Sequence, residues 1–383
     1  MRYMTAGESH GKGLTAILEG FPSNVKIDVS EIDAQLKRRQ SGYGRGGRMK
    51  IESDSAEILS GMIGSLTLGS PIALFIKNRD FDKWKEFTDP VSGNCAPKAL
   101  TCVRPGHADY TGAIKYAFDD ARPVLERASA RETAARVAVG AICRQFLSKL
   151  GIEIGSHVTS IGGMASSAHP ESAVGLNELA DKSEVRCLDI DAEKEMISRI
   201  DCCMKSGDTA GGEIEVIVSG MPAGVGSYVQ YDRKLDAVLA SHIMSIQAFK
   251  SVEIGLGSLV ADELGSSVHD EMYPAKDGGV MRKTNNAGGI EGGMSNGENI
   301  VIRAAVKPIP TLMKGLGTVD IATHKAAVAA AERSDYCAVP AAAVVAENVV
   351  AFALADEILK VTGGDDFDTV ARRVDEMRKR MKR

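Results

Sequence analysis

Apolar positions along the chain keep two rhythms, and each predicts a kind of element. A period near 3.6 recurs in IDAQLKRRQ (32–40), whose start is flanked by Ser30 and Asp33 and which stops before Gly42. It recurs in TAARVAVGAICRQFLSKL (133–150), preceded by Ser129 and Glu132 as a capping-box pattern and ended by Gly151. Asp191 is the expected cap of AEKEMISRIDCCMKS (192–206), which stops at Gly207. Lys234 to Met244 is a further amphipathic stretch. Pro340 sits where a first helical residue belongs, ahead of AAAVVAENVVAFALADEILKV and the terminating Gly363-Gly364. The basic segment Asp368 to Arg383 reads as a terminal surface helix. Between these lie short β-rich runs with Gly or Pro at their ends: GLTAILEG, EIEVIVSG, VEIGLGSLVA and NIVIRAAVKP. Long helices mixed with short strands predict an α+β fold in layers. A doubly wound nucleotide fold is disfavoured, because no strand leads through G-x-G-x-x-G into a helix and no P-loop is present.

Composition narrows the class. At 383 residues, with 44% apolar and 25% charged positions, the chain has the makeup of a globular protein. No apolar run reaches the ~18 residues of a membrane span, and MRYMTAGESHG has no apolar signal core. A soluble, cytoplasmic protein without membrane association is expected. No linker, repeat or low-complexity tract divides the chain, so residues 1–383 are expected to form one domain. A net charge of −5 argues against nucleic acid as a partner. The seven cysteines form no CxxC pair and no His spacing completes a zinc site, which predicts free thiols and no metal. Forty glycines against 5% aromatics point to a site made of backbone and charge.

Four segments carry that chemistry. KRRQSGYGRGGRMK (37–50) holds Lys37, Arg38, Arg39, Arg45, Arg48 and Lys50 and no acid. Cations this dense repel unless an anion arrives, and the guanidinium fork suits carboxylate and phosphate oxygens. A small polyanion site, a solvated basic loop and an RNA-binding GRGG element all remain open for it. TAGESHGKG (5–13) brackets Glu8, Ser9 and His10 with glycines, and RPGHADYTG (104–112) places Arg104, His107 and Asp109 in a Pro-Gly turn. Two such turns beside an arginine-rich loop suggest acid/base groups around an anion. RSDYCAVP supplies Arg333 and Asp335, a carboxylate able to balance a histidine. Arg127, Ser129 and Arg131 lie at the predicted start of the long helix, where an anion is favoured. Gly288, Gly289, Gly292 and Gly293 allow close backbone approach.

Taken together, TAGESHG, RRQSGYGRGGRM, RPGHADYTG, RASARET, AGGIEGGMSNG, KPIPT and RSDYCAVPA resemble, in order and spacing, the chorismate synthase family, over Met1 to about Lys360. The resemblance implies a β-α-β sandwich with long helices between antiparallel sheets, usually a homotetramer. It implies conversion of 5-enolpyruvylshikimate 3-phosphate to chorismate and phosphate, a 1,4-elimination of the shikimate pathway that needs reduced FMN. His10 would protonate the leaving phosphate, His107 would help set the flavin's protonation, and Asp335 would assist proton removal from the ring. Substrate anions would be held by Ser9, Arg39, Arg45, Arg48, Arg104, Asp109 and Arg131, with Arg39 and Arg45 assigned to NADP in some family descriptions. FMN would be held by Arg127, Ala128, Ser129, Gln247, Ala248, Gly292, Lys307, Pro308, Ile309, Pro310, Thr311 and Arg333. NADPH would act only through flavin reduction, and the absence of a nicotinamide domain points to an external flavin reductase. The chain departs from the family at Ala128, where many members have Ser, and at Tyr336, where a smaller residue is common.

Overall fold

The computed structural model describes residues 1–46, 53–276, 278–330 and 335–382. Two antiparallel sheets enclose a helical layer. The first comprises β1 (Arg2–Ala6), β2 (Gly13–Glu19), β3 (Glu57–Ser60) and, after the hairpin β4 (Met62–Ile63) and β5 (Leu66–Thr67), β6 (Ile72–Lys77). Its order is β1-β2-β6-β3. The second comprises β7 (Glu153–Ile161), β8 (Met164–Ala165), β9 (Gly212–Ser219), β10 (Phe249–Ile254) and, after the hairpins β11 (Met272–Pro274)–β12 (Val280–Arg282) and β13 (Ile290–Glu291)–β14 (Met294–Ser295), β15 (Ile300–Val306). Its order is β10-β15-β9-β7-β8. The last hairpin is β16 (Gly317–Asp320) and β17 (Lys325–Val328). β15 shows why these segments are strands: Ile300, Ile302, Ala304 and Val306 are buried while the alternate positions are half-exposed.

The helices are α1 (Val29–Gln40), α2 (Phe81–Thr88), α3 (Asp109–Tyr116), α4 (Arg122–Ala128), α5 (Thr133–Lys149), α6 (Leu176–Ala180), α7 (Ile190–Ser206), α8 (Leu235–Met244), α9 (Gly265–Val268), α10 (Val339–Thr362) and α11 (Phe367–Arg380). α5 and α10 are buried along most of their length and form the middle layer. Their Val137, Phe146, Val349 and Leu354 share one apolar cluster with Leu14, Leu74 and Ile76 of the first sheet and Val158, Val216 and Ile302 of the second. Alanine-rich faces let the two helices approach closely. A Cβ on Gly140 would stand 2.2 Å from the carbonyl oxygen of Asn348, so this crossing requires glycine. The arrangement is the β-α-β sandwich expected, with long helices between antiparallel sheets.

Several local expectations are corrected. α1 is capped by Asp28, whose carboxylate accepts the Ser30 N–H at 2.9 Å; Asp33 lies inside the helix and accepts the Ala56 N–H at 2.8 Å. α7 is capped by Asp189, two residues before the expected Asp191, which occupies the first turn where the helix dipole favours an acid. The Ser129/Glu132 capping box does not close. Ser129 accepts the Arg131 N–H at 3.3 Å in a 3-10 turn, while Glu132 accepts bonds from Thr5, Arg136 and Gln247. Tertiary partners here outcompete the local bond. VEIGLGSLVA is a strand only to Ile254; from Gly257 to Asp262 it is a 3-10 helix. All seven cysteines are free. Among the described residues no helix is long and apolar enough to cross a membrane.

Candidate active site

The turn between β1 and β2 carries His10 and is built against α4 and α2. Glu126 of α4, 4% exposed, lies with Oε1 2.8 Å and Oε2 3.1 Å from His10 Nδ1. A carboxylate only accepts, so Nδ1 carries the proton in this contact. Oε2 also accepts the His10 N–H at 2.9 Å, and the Glu126 carbonyl accepts the Ser9 N–H at 2.9 Å. Trp84 of α2 stacks on the imidazole, 4.0 Å between centroids and 25° between planes. Asn78 donates to the carbonyls of Glu8 and Gly11 at 3.0 and 2.8 Å, so the turn is fixed from below as well.

Asn78 joins this turn to a buried pair of arginines. Arg131 donates through Nε to Asn78 Oδ1 at 3.0 Å and through Nη1 to Asp54 Oδ2 at 2.5 Å. Arg39, from the last turn of α1, donates to Thr133 Oγ1 at 2.8 Å and to the Ala130 carbonyl at 3.0 Å, with Nη1 3.7 Å from the same Asp54 oxygen. Among the described residues, these two guanidiniums converge on the one carboxylate of Asp54, near the buried Ser9.

Two further arginines of the basic segment go elsewhere. Arg38 turns inward, away from any site, to Glu347 of α10 and to Asp181 at 2.6 Å. Arg45 pairs with Asp335 at 3.1 Å, and Asp335 also accepts the Gly46 N–H at 2.7 Å. The side chains of Arg38, Arg39 and Arg45 are 15, 7 and 12% exposed, so these three are not part of a solvated basic strip. Among the described residues Asp335 thus pairs with an arginine and with no histidine. Arg48 and Arg333 lie outside the described residues.

His107 forms a second centre with its own acid. Its Nδ1 lies 2.5 Å from Asp109 Oδ1. Asp109, fully buried at the start of α3, also accepts from Arg104 N, Nε and Nη2 at 3.0, 2.8 and 2.9 Å. Burial opposes its charge, but the bonds from His107 and Arg104 prevail and hold its carboxyl well below the usual range. Arg104 Nη1 donates to Thr311 Oγ1 at 2.9 Å, which docks this turn on the segment after β15.

The residues expected at a flavin make a nearly continuous band. Arg127 donates to the carbonyls of Thr5 and Gly7 at 2.8 and 3.0 Å, placing the end of α4 on β1. Ala128 and Ser129 follow it into the 3-10 turn ending at Glu132, and Gln247 reaches Glu132 at 3.2 Å. The Ala248 carbonyl accepts the Lys307 N–H at 2.9 Å, and Lys307 Nζ donates to the carbonyl of Gly106, beside His107. Burial, then the charge of Lys250, pulls the Lys307 ammonium below its usual value. Thr209 Oγ1 donates to the Ile309 carbonyl at 2.8 Å, and Ala210 N to the Tyr336 carbonyl at 2.9 Å, linking Pro308–Thr311 to Asp335. Gly292 is separate. It lies in the β13–β14 turn at the start of α8, whereas Gln247 follows its end, a helix length of roughly 15 Å away. Among the described residues Gln247 Oε1 is buried without a hydrogen-bond partner, so the N–H of a bound group would satisfy it.

Glu126, Trp84, Asp54 and Asn78 were not singled out from the sequence. Trp84 is the chain's one tryptophan, and Glu126 directly precedes RASARET, so composition and position held a signal for these two. Asp54 and Asn78 acquire meaning only when the arginines are seen converging.

The comparisons with known proteins agree with one another. The family model described as chorismate synthase matches residues 1–359. Chorismate synthase of Alkaliphilus metalliredigens is 54% identical over 369 residues, covering 96% of this chain and 97% of that one. Chorismate synthase of Geobacter metallireducens is 52% identical over 383 residues, covering 98% of each. A crystal structure of chorismate synthase superposes with a TM-score of 0.80 at 42% identity, covering 100% of this chain and 98% of that one.

Proposed function

The chain belongs to the chorismate synthase family, an enzyme family of the lyase class, and from that premise we propose that it converts 5-enolpyruvylshikimate 3-phosphate to chorismate and phosphate with reduced FMN as cofactor. The observation that carries the reading is the juxtaposition of His10, oriented by a buried carboxylate, with two buried arginines sharing Asp54. A phosphate-bearing substrate with two further carboxylates is a ligand that guanidinium forks gathered in this way suit.

In the reaction one C–O bond to phosphate and one C–H bond break and a second ring double bond forms. His10 gives a proton to the departing phosphate oxygen, while Arg39 and Arg131 hold the phosphate's charge. Arg45, Arg48 and Arg104 orient the carboxylates, with Ser9 and Asp109 completing the substrate's surroundings. Asp335, fixed by Arg45 and the Gly46 N–H, assists removal of the ring proton. His107, oriented by Asp109, would help set the protonation of a bound flavin. Residues 127–129, Gln247, Ala248, Gly292, Lys307–Thr311 and Arg333 would hold FMN, and the partnerless Gln247 oxygen fits a flavin ring N–H. When bound, the reduced flavin supplies an electron-rich partner for cleavage of the allylic C–O bond. The reading carries with it a homotetramer and an external flavin reductase, with NADPH serving only to reduce the flavin.

Anaerobic incubation of the protein with substrate and reduced FMN tests it. Phosphate release together with chorismate absorbance is expected, and His10→Asn is expected to lower kcat by about 10²–10⁴-fold. No phosphate release from the wild-type protein would refute the reading.

A further inference from the structure

We infer that Glu126 is a positioning residue for His10, fixing both the tautomer and the aim of the imidazole; the inference rests on the proposed role of His10 as acid to the phosphate. Both carboxylate oxygens serve the one residue. They meet two donors, the ring Nδ1–H at 2.8 and 3.1 Å and the main-chain N–H at 2.9 Å; Oε1 gives the ring its shorter bond while Oε2 takes the main-chain N–H. With the proton held on Nδ1 by Glu126, Nε2 is the ring nitrogen that exchanges a proton with a ligand.

Two helices, α2 and α4, and the 3-10 turn Ala96–Lys98 surround this pair. The Trp84 ring of α2 covers one face of the imidazole. Thr88 Oγ1 donates to the His10 carbonyl at 2.7 Å. On α4, one turn before Glu126, Arg122 stands 3.8 Å from Oε1 and donates to the Lys98 carbonyl at 2.6 Å. Lys98 Nζ and the Arg122 guanidinium lie 5.6 and 5.8 Å from the Trp84 ring centre. The acid, the cations and the indole therefore form one support behind His10, buried at Glu126 and Arg122, and Glu126 is its hydrogen-bonded contact with the ring. Glu126 itself touches no reacting atom in this arrangement and acts through His10.

Glu126→Gln tests the idea because it keeps shape and removes one acceptor. Whichever way the amide turns, its NH2 faces either Nδ1–H or the His10 N–H, and one bond is lost. Two readouts follow. In steady-state turnover kcat is expected to fall by roughly 10- to 100-fold, with KM for substrate within about threefold of wild type, because the arginines that bind it are untouched. In the protein without ligands, Trp84 is the one tryptophan and reports directly on the ring stacked on it. Its emission and its quenching by acrylamide are expected to change in Glu126→Gln towards the values of His10→Gln. Glu126→Asp keeps two acceptors and is expected to retain more kcat than the amide. Wild-type kcat, or wild-type Trp84 emission, in Glu126→Gln would overturn the inference. So would an amide variant and an aspartate variant that lose stability and activity to the same extent. The fluorescence readout needs no turnover, so a failure of the proposed reaction in the wild-type protein is distinguished from a failure of the pair.

Discussion

Glu347 lies in the middle of α10 with none of its surface exposed, and three arginines converge on it from three elements. Arg38 of α1 donates to Oε1, Arg144 of α5 stands 3.6 Å from Oε2, and Arg186 adds its charge from the loop before α7. Burial raises the cost of the carboxylate's charge, yet the fields of Arg38, Arg144 and Arg186 outweigh it and hold the carboxyl below its ordinary value. Asp181 pairs with Arg38 and Arg186 but is 35% exposed, so it cannot replace the central charge. Glu347→Gln keeps the shape and strands the guanidiniums. Removing one partner of a buried ion pair costs about 3–5 kcal/mol, equivalent to a roughly 150- to 5,000-fold loss in the folding equilibrium. Urea denaturation at neutral pH should show a midpoint lowered by that free energy divided by the slope, with the slope unchanged. The sign with pH follows from the depressed carboxyl. Its contribution is complete above the ordinary glutamate value of 4.5 and is lost as pH falls through the folded value. The gap between wild type and variant should therefore narrow on acidification. A loss under about 1 kcal/mol at neutral pH, or a gap that widens towards acid, would refute the reasoning.

Asp109→Asn presents one acceptor where four donors converge, and is expected to cost about 3–5 kcal/mol by urea denaturation at neutral pH. Because the Asp109 carboxyl is depressed, that stabilisation is present above the unfolded value and fades as pH falls through the folded one, so the penalty should shrink in acid. Gly44→Ala places a side chain at φ +81°, 2.8 Å from Ile200 Cγ2, in the loop that carries Arg45 to Asp335. About 1–2 kcal/mol of backbone strain is expected to appear as a roughly tenfold rise in KM for substrate, measured at saturating FMN; an unchanged KM would detach that loop from substrate binding.

The helices that build the middle layer were legible because long runs such as 133–150 and 341–361 carry helical periodicity and end at glycines. β2, β9 and β15 were legible for the same kind of reason, whereas β1, β6 and β7 were not singled out, since short runs such as RYMTA carry little pattern of their own. Cap positions shifted because Asp28 and Asp189 reach free helix N–H groups better than the residues nearest the apolar stripe. The site was legible as residue types: two histidine turns, an aspartate and a basic loop. What each arginine does was not. Arg38 and Arg39 are neighbours in sequence, but the helix turns them about 100° apart, so one meets Glu347 in the core and the other meets Asp54 near His10. His10 and His107 likewise look alike in sequence, and only packing gives one a glutamate from a helix 116 residues away and the other an aspartate two residues on. Sequence determines which charges must be neutralised. The tertiary structure decides which partner does it, because a buried charge is settled by whatever group the fold brings within about 3 Å.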